Sequence, residues 1–278
     1  MKHLLILCSL VFLLPSVLYP QAGAGKLFII GGGKRPPALL RSLVEAADLR
    51  DKDYIVVLPM ASEDRAAAFK SVESELKSLV RNKIVDLGFS SDRLGPPPLD
   101  SLKNTKLIFI TGGDQERFMA SARNSGIGKA IQHAYRKGST IAGTSAGAAV
   151  MSTHMITGNQ LLPDTTYKET FDKLKQGNIE FKPGLGLLDS VIIDQHFVRR
   201  SRYNRLLSAL ERFPDYAGLG IDESTAILVR GKRARVIGES QVVVLKEPVD
   251  IRAGRGGLIR LKDLKFSIFA EGDEFDLP

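Results

Sequence analysis

A serine surrounded by small residues is the first candidate for chemistry in this chain. Ser145 stands at the centre of the sequence Gly143-Thr144-Ser145-Ala146-Gly147. This sequence matches the G-x-S-x-G pattern, in which a nucleophilic serine occupies a tight turn between a strand and a helix. The same letters also occur where a small-residue helix simply packs closely on a sheet. The residues elsewhere in the chain must therefore decide whether Ser145 is a nucleophile.

A serine hydroxyl needs a base to take its proton, and the chain offers four histidines. His3 lies in the N-terminal leader, and His133 falls on the polar face of a predicted helix. His154 follows Ser145 by nine residues, a rise of about 13 Å along a continuing helix, which is too far for a hydrogen bond. His196 stands at the carboxyl end of the apolar run SVIID. Elimination and this strand-end position predict that His196 is the base.

Two further groups of residues fit such a site. A tetrahedral intermediate needs two backbone N–H donors, which we expect from Ala146 and from the glycine turn TGGDQ of residues 111–115. Arg202 and Arg205 are three residues apart and share one face of a helix that follows His196. Their guanidinium groups could bind a substrate carboxylate in bidentate fashion. The alternative is that these arginines form an ordinary solvated helix face.

The elements that must position these residues follow an alternating pattern. From Lys26 onward, short apolar runs such as KLFII, YIVVL and LIFI alternate with amphipathic segments. This alternation predicts an α/β fold with a mostly parallel sheet flanked by helices on both faces. Sites in such sheets gather at the carboxyl ends of the strands, where both TGGDQ and GTSAG fall. The later runs AILVRG, RARVIG and QVVVLKEP predict a C-terminal β extension of added strands and edge hairpins.

The first 24 residues have the pattern of a secretory signal peptide. Lys2 precedes an apolar run that is broken by Pro15 and ends in the small residues Ala22-Gly23-Ala24. The single cysteine, Cys8, would be removed with this segment, so the mature chain would use neither a disulfide nor a thiol nucleophile. We expect one domain over residues 25–278, secreted or periplasmic, with no stable membrane span after cleavage. A membrane anchor is the alternative.

The composition is that of an ordinary globular protein, with 44% hydrophobic and 25% charged residues. The formal net charge is +8, but no nucleic-acid motif or aromatic-interleaved basic stripe accompanies it, so we expect no nucleic-acid partner. The run GGGKRP lacks both the G-x-G-x-x-G spacing and the Walker lysine-hydroxyl pair. No metal-ligand spacing is recognisable either. The sequence therefore predicts no cofactor and no metal.

Five segments together resemble the cyanophycinases, which are relatives of the aspartyl dipeptidases. The segments are TGGDQ, GTSAGA, GLGLLDSVIIDQHFVRRSRYNRL, GIDESTA and the ending GDEFDLP. The resemblance covers almost all of the mature chain and is most specific from Asp194 to Arg205. It implies a serine peptidase with the class I glutamine-amidotransferase-like, flavodoxin-like fold. It also implies an exopeptidase that hydrolyses cyanophycin, a poly-aspartate with arginine on each side-chain carboxyl, to β-aspartyl-arginine dipeptides. With the signal peptide pattern, the first functional hypothesis is a secreted enzyme of this kind.

The resemblance also implies roles for individual residues. Ser145 resembles the nucleophile and His196 the general base, while Gly113 and Ala146 match the oxyanion-hole positions. The residues implied to line the pocket and hold a β-linked aspartate are Gln115, Asp194, Gln195, Arg200, Arg202 and Arg205.

The acid that should orient His196 stays open among Asp164, Asp194 and Glu223. Asp194 lies two residues before His196, so both face the same side of a strand, but the substrate could engage Asp194 instead.

Other functions remain open beside the first. One is an aspartyl or isoaspartyl dipeptidase with the same machinery on short peptides, and another is a catalytically idle binding paralogue. An esterase of the α/β-hydrolase kind shares G-x-S-x-G but places its acid and histidine late in the chain, whereas about 80 residues follow His196. The expected partner is a peptide or a cyanophycin-like polymer, and a homodimer is compatible with the sequence.

Overall fold

The computed structural model describes residues 25–87, 89, 98–162 and 168–278. The predicted signal peptide and the candidate acid Asp164 lie outside the described residues. Within the described ranges, no helix has the length and apolar character needed to cross a membrane.

Strands and helices alternate through the first half of the chain, and strands dominate the second half. The elements are β1 (Lys26–Ile30), α1 (Pro37–Ala47), β2 (Tyr54–Leu58), α2 (Arg65–Lys77), β3 (Lys83–Val85), α3 (Leu99–Lys103), β4 (Leu107–Ile110), α4 (Gln115–Asn124), α5 (Ile127–Arg136), β5 (Thr140–Thr144), α6 (Ala146–Ala149), β6 (His154–Gln160), β7 (Ile179–Pro183), β8 (Val191–Gln195), α7 (Tyr203–Arg212), β9 (Ala217–Ile221), β10 (Thr225–Arg230), β11 (Arg233–Gly238), β12 (Val242–Val249), β13 (Arg252–Ala253), a 3₁₀ turn (Arg255–Gly257), β14 (Ile259–Arg260), β15 (Asp263–Phe269) and β16 (Glu274–Asp276).

The main sheet has eight strands in the order β16-β11-β10-β1-β5-β4-β2-β3. The strands β1, β5, β4, β2 and β3 pair in parallel, as the alternating pattern predicts. Antiparallel strands β10, β11 and β16 extend the sheet beyond β1, as expected of a C-terminal extension.

Helices cover both faces of the parallel strands. Phe28 of β1 packs in a cluster with α1 and α2 on one face. Its neighbour Ile29 packs in a second cluster with α4 and α5 on the other face. Because successive strand residues point to opposite faces, a strand covered on both sides must be apolar throughout. The predicted α/β fold is confirmed.

A second sheet of four strands, β15-β12-β9-β8, contains no strand that pairs with the main sheet. The expectation that QVVVLKEP forms an edge hairpin of the main sheet is wrong, because this run is β12 and it pairs with β9 and β15. Helix α7 covers the second sheet closely, since a Cβ at Gly218 would lie 2.7 Å from the side chain of Leu206. An apolar run predicts that a strand is buried, but it does not predict which strand it joins.

Candidate active site

Ser145 lies on a sharp turn between β5 and α6. Its backbone angles, φ 53° and ψ −111°, are strained for a residue with a side chain. The Ser145 N–H donates to the carbonyl of Ile30 at 3.0 Å, which holds the turn against β1. A Cβ at Gly143 would overlap the backbone of Gly147. The small residues around the serine are therefore required by the close approach of strand and helix.

His196 reaches Ser145 from the second sheet. It directly follows β8, and its backbone N–H donates to the carbonyl of Gly31 at 2.8 Å. Its Nε2 lies 2.9 Å from the hydroxyl oxygen of Ser145. A Cβ at Gly32 would lie 2.5 Å from the same Nε2. The glycine run after β1 thus leaves the space that the imidazole occupies.

Glu223 is the acid that contacts His196. Its Oε1 lies 2.6 Å from Nδ1 of the imidazole. Glu223 follows β9 by two residues, and a Cβ at Gly33 would lie 2.8 Å from the Cβ of Glu223. Two glycines of the run GGGKRP therefore make room for the histidine and the acid. Sequence reasoning considered this run only as a phosphate loop and missed that role.

Asp194 makes a different contact. Its side chain is fully buried, and its two carboxylate oxygens accept hydrogen bonds from Nε and Nη2 of Arg205 at 3.0 and 2.6 Å. Of the two candidate acids that the structure describes, only Glu223 touches the imidazole. Asp194 does not line the cavity beside Ser145, but it pairs with two arginines that do, Arg205 and Arg202, whose Nη1 lies 3.6 Å from Oδ1 of Asp194.

The electrostatics favour a neutral imidazole. Burial lowers the pKa of His196 below its ordinary value of 6.5, and the positive charge of Arg200 lowers it further. The hydrogen bond to Glu223 acts in the opposite direction and raises this pKa. The carboxylate can only accept, so Nδ1 carries the hydrogen and Nε2 can accept the serine proton.

The positions matched to an oxyanion hole lie beside Ser145. Ala146 is the first residue of α6, and Gly113 lines the same cavity as Ser145. Gly113 has φ +134°, a conformation that favours glycine, and a Cβ there would overlap the backbone of Ala61. The close backbone of Ala61 therefore requires glycine at position 113.

The cavity beside Ser145 has a volume of about 380 Å³. Five of the six residues implied to bind substrate line it, namely Gln115, Gln195, Arg200, Arg202 and Arg205. Thr157, Gly158 and Asn159 of β6 line it as well, and sequence reasoning did not single them out. No motif marks these three residues, since the β6–β7 hairpin reaches the cavity only through tertiary packing.

The three arginines differ in burial and in the hydrogen bonds that their side chains make to neighbouring residues. Arg205 is 2% exposed and paired with Asp194, and Arg202 is 4% exposed, so neither belongs to a solvated helix face. Arg202 donates from Nη1 to the backbone and side-chain oxygens of Gln195 and from Nε to Glu169 at 2.7 Å. Arg200 is more exposed, and within the described residues its side chain makes one hydrogen bond, from Nη1 to Glu169 at 3.2 Å. Arg200 therefore keeps most of its donors for a ligand.

His154 does not contact Ser145, as predicted, but the reason given for this, a helix that continues from Ser145 to His154, is wrong. Helix α6 ends at Ala149, and His154 begins the strand β6. The imidazole of His154 stacks on the ring of Phe213, with centroids 4.4 Å apart. It is an aromatic packing residue, away from Ser145.

A serine on a strained strand-to-helix turn, in contact with a histidine that an acid orients, is the arrangement of α/β serine hydrolases. The chain belongs to peptidase family S51, whose family model matches residues 27–237. It is 30% identical over 276 residues to a cyanophycinase of Trichormus variabilis, an alignment that covers 93% of this chain and 87% of that protein. The resemblance to the cyanophycinases is thereby confirmed, and the protein is a serine-type peptidase.

Solved structures share the fold at lower sequence identity. A peptidase from an acI-B1 Actinobacterium matches 92% of this chain and 98% of its own length, with 21% identity and a TM-score of 0.63. A putative peptidase E protein from Listeria monocytogenes EGD-e matches 78% of this chain and all of its own length, with 19% identity and a TM-score of 0.52.

The glycine run allows a sharp test of the site. Gly32→Ala should slow labelling of Ser145 by a fluorophosphonate about 100-fold, because the new methyl group displaces the imidazole by about 1 Å. Gly128→Ala is the matched control, since a Cβ on this helical glycine meets its nearest atom at 3.4 Å. Thermal unfolding of both variants checks the fold. Unchanged labelling of folded Gly32→Ala would contradict the contact with His196.

The pH dependence of the same labelling reaction reports the pKa of His196. Below that pKa the imidazole is protonated and cannot accept the serine proton, so the rate is lost as the pH falls through it. The midpoint should lie below 6.5, because burial lowers this pKa. Arg200→Gln should move the midpoint to higher pH, since it removes a charge that lowers the pKa.

The control for this shift is Arg199→Gln. Arg199 is exposed, and its charge is not among those that shift the pKa of His196. A wild-type midpoint at or above 6.5, or equal midpoints in all three proteins, would refute the electrostatic description.

Proposed function

We propose that the protein is an exopeptidase that hydrolyses cyanophycin to β-aspartyl-arginine dipeptides, with Ser145 as nucleophile, His196 as general base and Glu223 as the orienting acid. The observation that carries this proposal is the chain of hydrogen bonds from Ser145 through His196 to Glu223 at a cavity lined by arginines. The match to proteins named cyanophycinase supports the substrate.

The proposed reaction begins when the Ser145 oxygen attacks the peptide carbonyl while its proton passes to Nε2 of His196. Glu223 stabilises the imidazolium, and the N–H groups of Ala146 and Gly113 donate to the oxyanion. His196 then gives the proton to the leaving amine as the carbon–nitrogen bond breaks. Water attacks the resulting ester with His196 as base, which releases the acid product and restores Ser145.

The arginines supply the proposed recognition of a carboxylate. Both carboxyl groups of each internal aspartate of cyanophycin form amides, so the carboxylate that each unit brings belongs to its linked arginine. Within the described residues, Arg200 offers donors that no other group occupies. Arg202 and Arg205 bring positive charge to the cavity wall but are held by Glu169 and Asp194. Arg200 is therefore the proposed carboxylate contact, and Asp194 positions Arg205 beside it.

The decisive experiment incubates residues 25–278 with cyanophycin and with α- and β-aspartyl dipeptides, and identifies the products by mass. Release of β-aspartyl-arginine from the polymer is the expected result. Ser145→Ala should abolish hydrolysis, and Glu223→Gln should lower kcat by about 10³- to 10⁴-fold, because the histidine loses its orientation. His133→Ala and His154→Ala are the controls and should be close to wild type.

Other outcomes assign other functions. Cleavage of dipeptides without cleavage of the polymer would replace the proposal by an aspartyl or isoaspartyl dipeptidase. Cleavage of none of the substrates by a folded protein would favour the idle binding paralogue. Full activity of Asp194→Asn is not expected, because Arg205 would lose the partner of its buried charge.

We further propose that the enzyme is secreted or periplasmic, on the basis of residues 1–24. The mature protein should begin at about residue 25 when the full chain is expressed with its leader. Sequencing the N-terminus of the exported protein measures this. Retention of residues 1–24 on the membrane fraction would favour an anchor instead.

A further inference from the structure

Asp222 is a buried carboxylate that the proposed reaction does not use. It lies between the end of β9 and Glu223, it is 6% exposed, and it does not line the cavity beside Ser145. Within the described residues, its carboxylate is held by one backbone N–H and one hydroxyl, and no cation pairs with it. A buried charge without a cation is unfavourable. Packing alone therefore does not explain an aspartate at this position.

One oxygen of Asp222 holds the turn that follows His196. Its Oδ1 accepts from the backbone N–H of Arg199 at 2.8 Å, and Arg199 lies three residues after His196 in the turn that leads to α7. The neighbouring carbonyl of Ile221 accepts from the N–H of Phe197 at 3.3 Å. The end of β9 thus contacts this turn at two points.

This turn needs such contacts because the backbone of His196 is strained. Its φ angle of +50° lies in the left-handed region, which is unfavourable for a residue with a side chain. A strained residue keeps its conformation only where the surrounding contacts fix it. The hydrogen bond from His196 to Gly31 fixes the residue itself, and the contact between Asp222 and Arg199 fixes the turn after it.

The other oxygen of Asp222 is linked to the backbone of Glu223. Oδ2 accepts from the hydroxyl of Ser240 at 2.7 Å, and Ser240 lies in the connection between β11 and β12. The backbone N–H of Ser240 donates to Oγ1 of Thr225 at 2.8 Å, and this hydroxyl donates to the carbonyl of Glu223 at 3.1 Å. These hydrogen bonds connect Asp222 to the residue whose side chain contacts the imidazole.

We propose that Asp222 is a positioning residue that fixes the imidazole of His196 relative to the carboxylate of Glu223. A carboxylate suits this task because it has two oxygens that accept hydrogen bonds in different directions. One oxygen holds the turn after the histidine, and the other is linked through Ser240 to the backbone of the acid. Asp222 itself touches no reacting atom. This role rests on the proposed functions of His196 and Glu223.

The role is geometric, since the charge of Asp222 is not among those that shift the pKa of His196. An asparagine has the same shape as aspartate. Its Oδ1 can accept from the N–H of Arg199, and its Nδ2 can donate to the hydroxyl of Ser240. Asparagine should therefore replace Asp222, and alanine should not.

The test measures the rate at which a fluorophosphonate labels Ser145. Asp222→Ala should be labelled about 10- to 100-fold more slowly than wild type, because a misplacement of about 1 Å costs about 100-fold. Asp222→Asn should be labelled within about threefold of wild type, since it can make both hydrogen bonds. Ser240→Ala removes only the contact at Oδ2 and should slow labelling several-fold. It tests the same link if Asp222→Ala does not fold, and thermal unfolding checks every variant.

Thr105→Val is the matched control for a loss of stability. Thr105 is 1% exposed, and its Oγ1 donates to the carbonyls of Tyr54 and Leu107 at 2.9 and 3.1 Å. It precedes β4, at the amino end of the parallel strands, whereas Ser145 follows the carboxyl end of β5. This variant should unfold at a lower temperature and be labelled at the wild-type rate. Equal slowing in Thr105→Val and Asp222→Ala would overturn the proposal.

A second variant tests whether Asp222 acts through the histidine and the acid. In a Glu223→Gln background the imidazole has already lost its orientation, so adding Asp222→Ala should slow labelling less than it does in wild type. An undiminished loss would overturn the positioning role. Labelling of folded Asp222→Ala at the wild-type rate would also overturn it and leave the proposed function in place, whereas failure of wild-type Ser145 to react would overturn both.

Discussion

The active site depends on the contact between the main sheet and the second sheet along the glycine run after β1. The backbone N–H of His196 donates to the carbonyl of Gly31 at 2.8 Å, and a Cβ at Gly31 would overlap the backbone of Asp222. The serine comes from one sheet, and the histidine and acid from the other. Without this close backbone contact, Ser145 and His196 would not be within hydrogen-bond distance.

A buried ion pair fixes the geometry of the arginines that line the active-site cavity. A buried ion pair is expensive to break, at about 3–5 kcal/mol, because the remaining charge stays without a partner. Asp194 and Arg205 are such a pair, so their geometry is rigid. Arg200 is exposed and lightly held. The same cluster therefore combines a rigid buried ion pair with one exposed arginine that can adjust to a ligand. The positive charges of Arg200 and Arg202 also help to keep the imidazole of His196 neutral.

The sequence by itself determined the parallel sheet, the turn at Ser145 and the choice of His196 among the histidines. Strand and helix periods are local, and so is a small-residue turn, which makes these features readable along the chain. Only the tertiary structure decided between Asp194 and Glu223, since both carboxylates lie at strand ends that the sequence cannot distinguish. The tertiary structure was also needed to identify the second sheet, the strands that pair with β12 and the position of Asn159 beside the cavity. Each of these depends on which distant segments pack together, and local periodicity carries no information about that pairing.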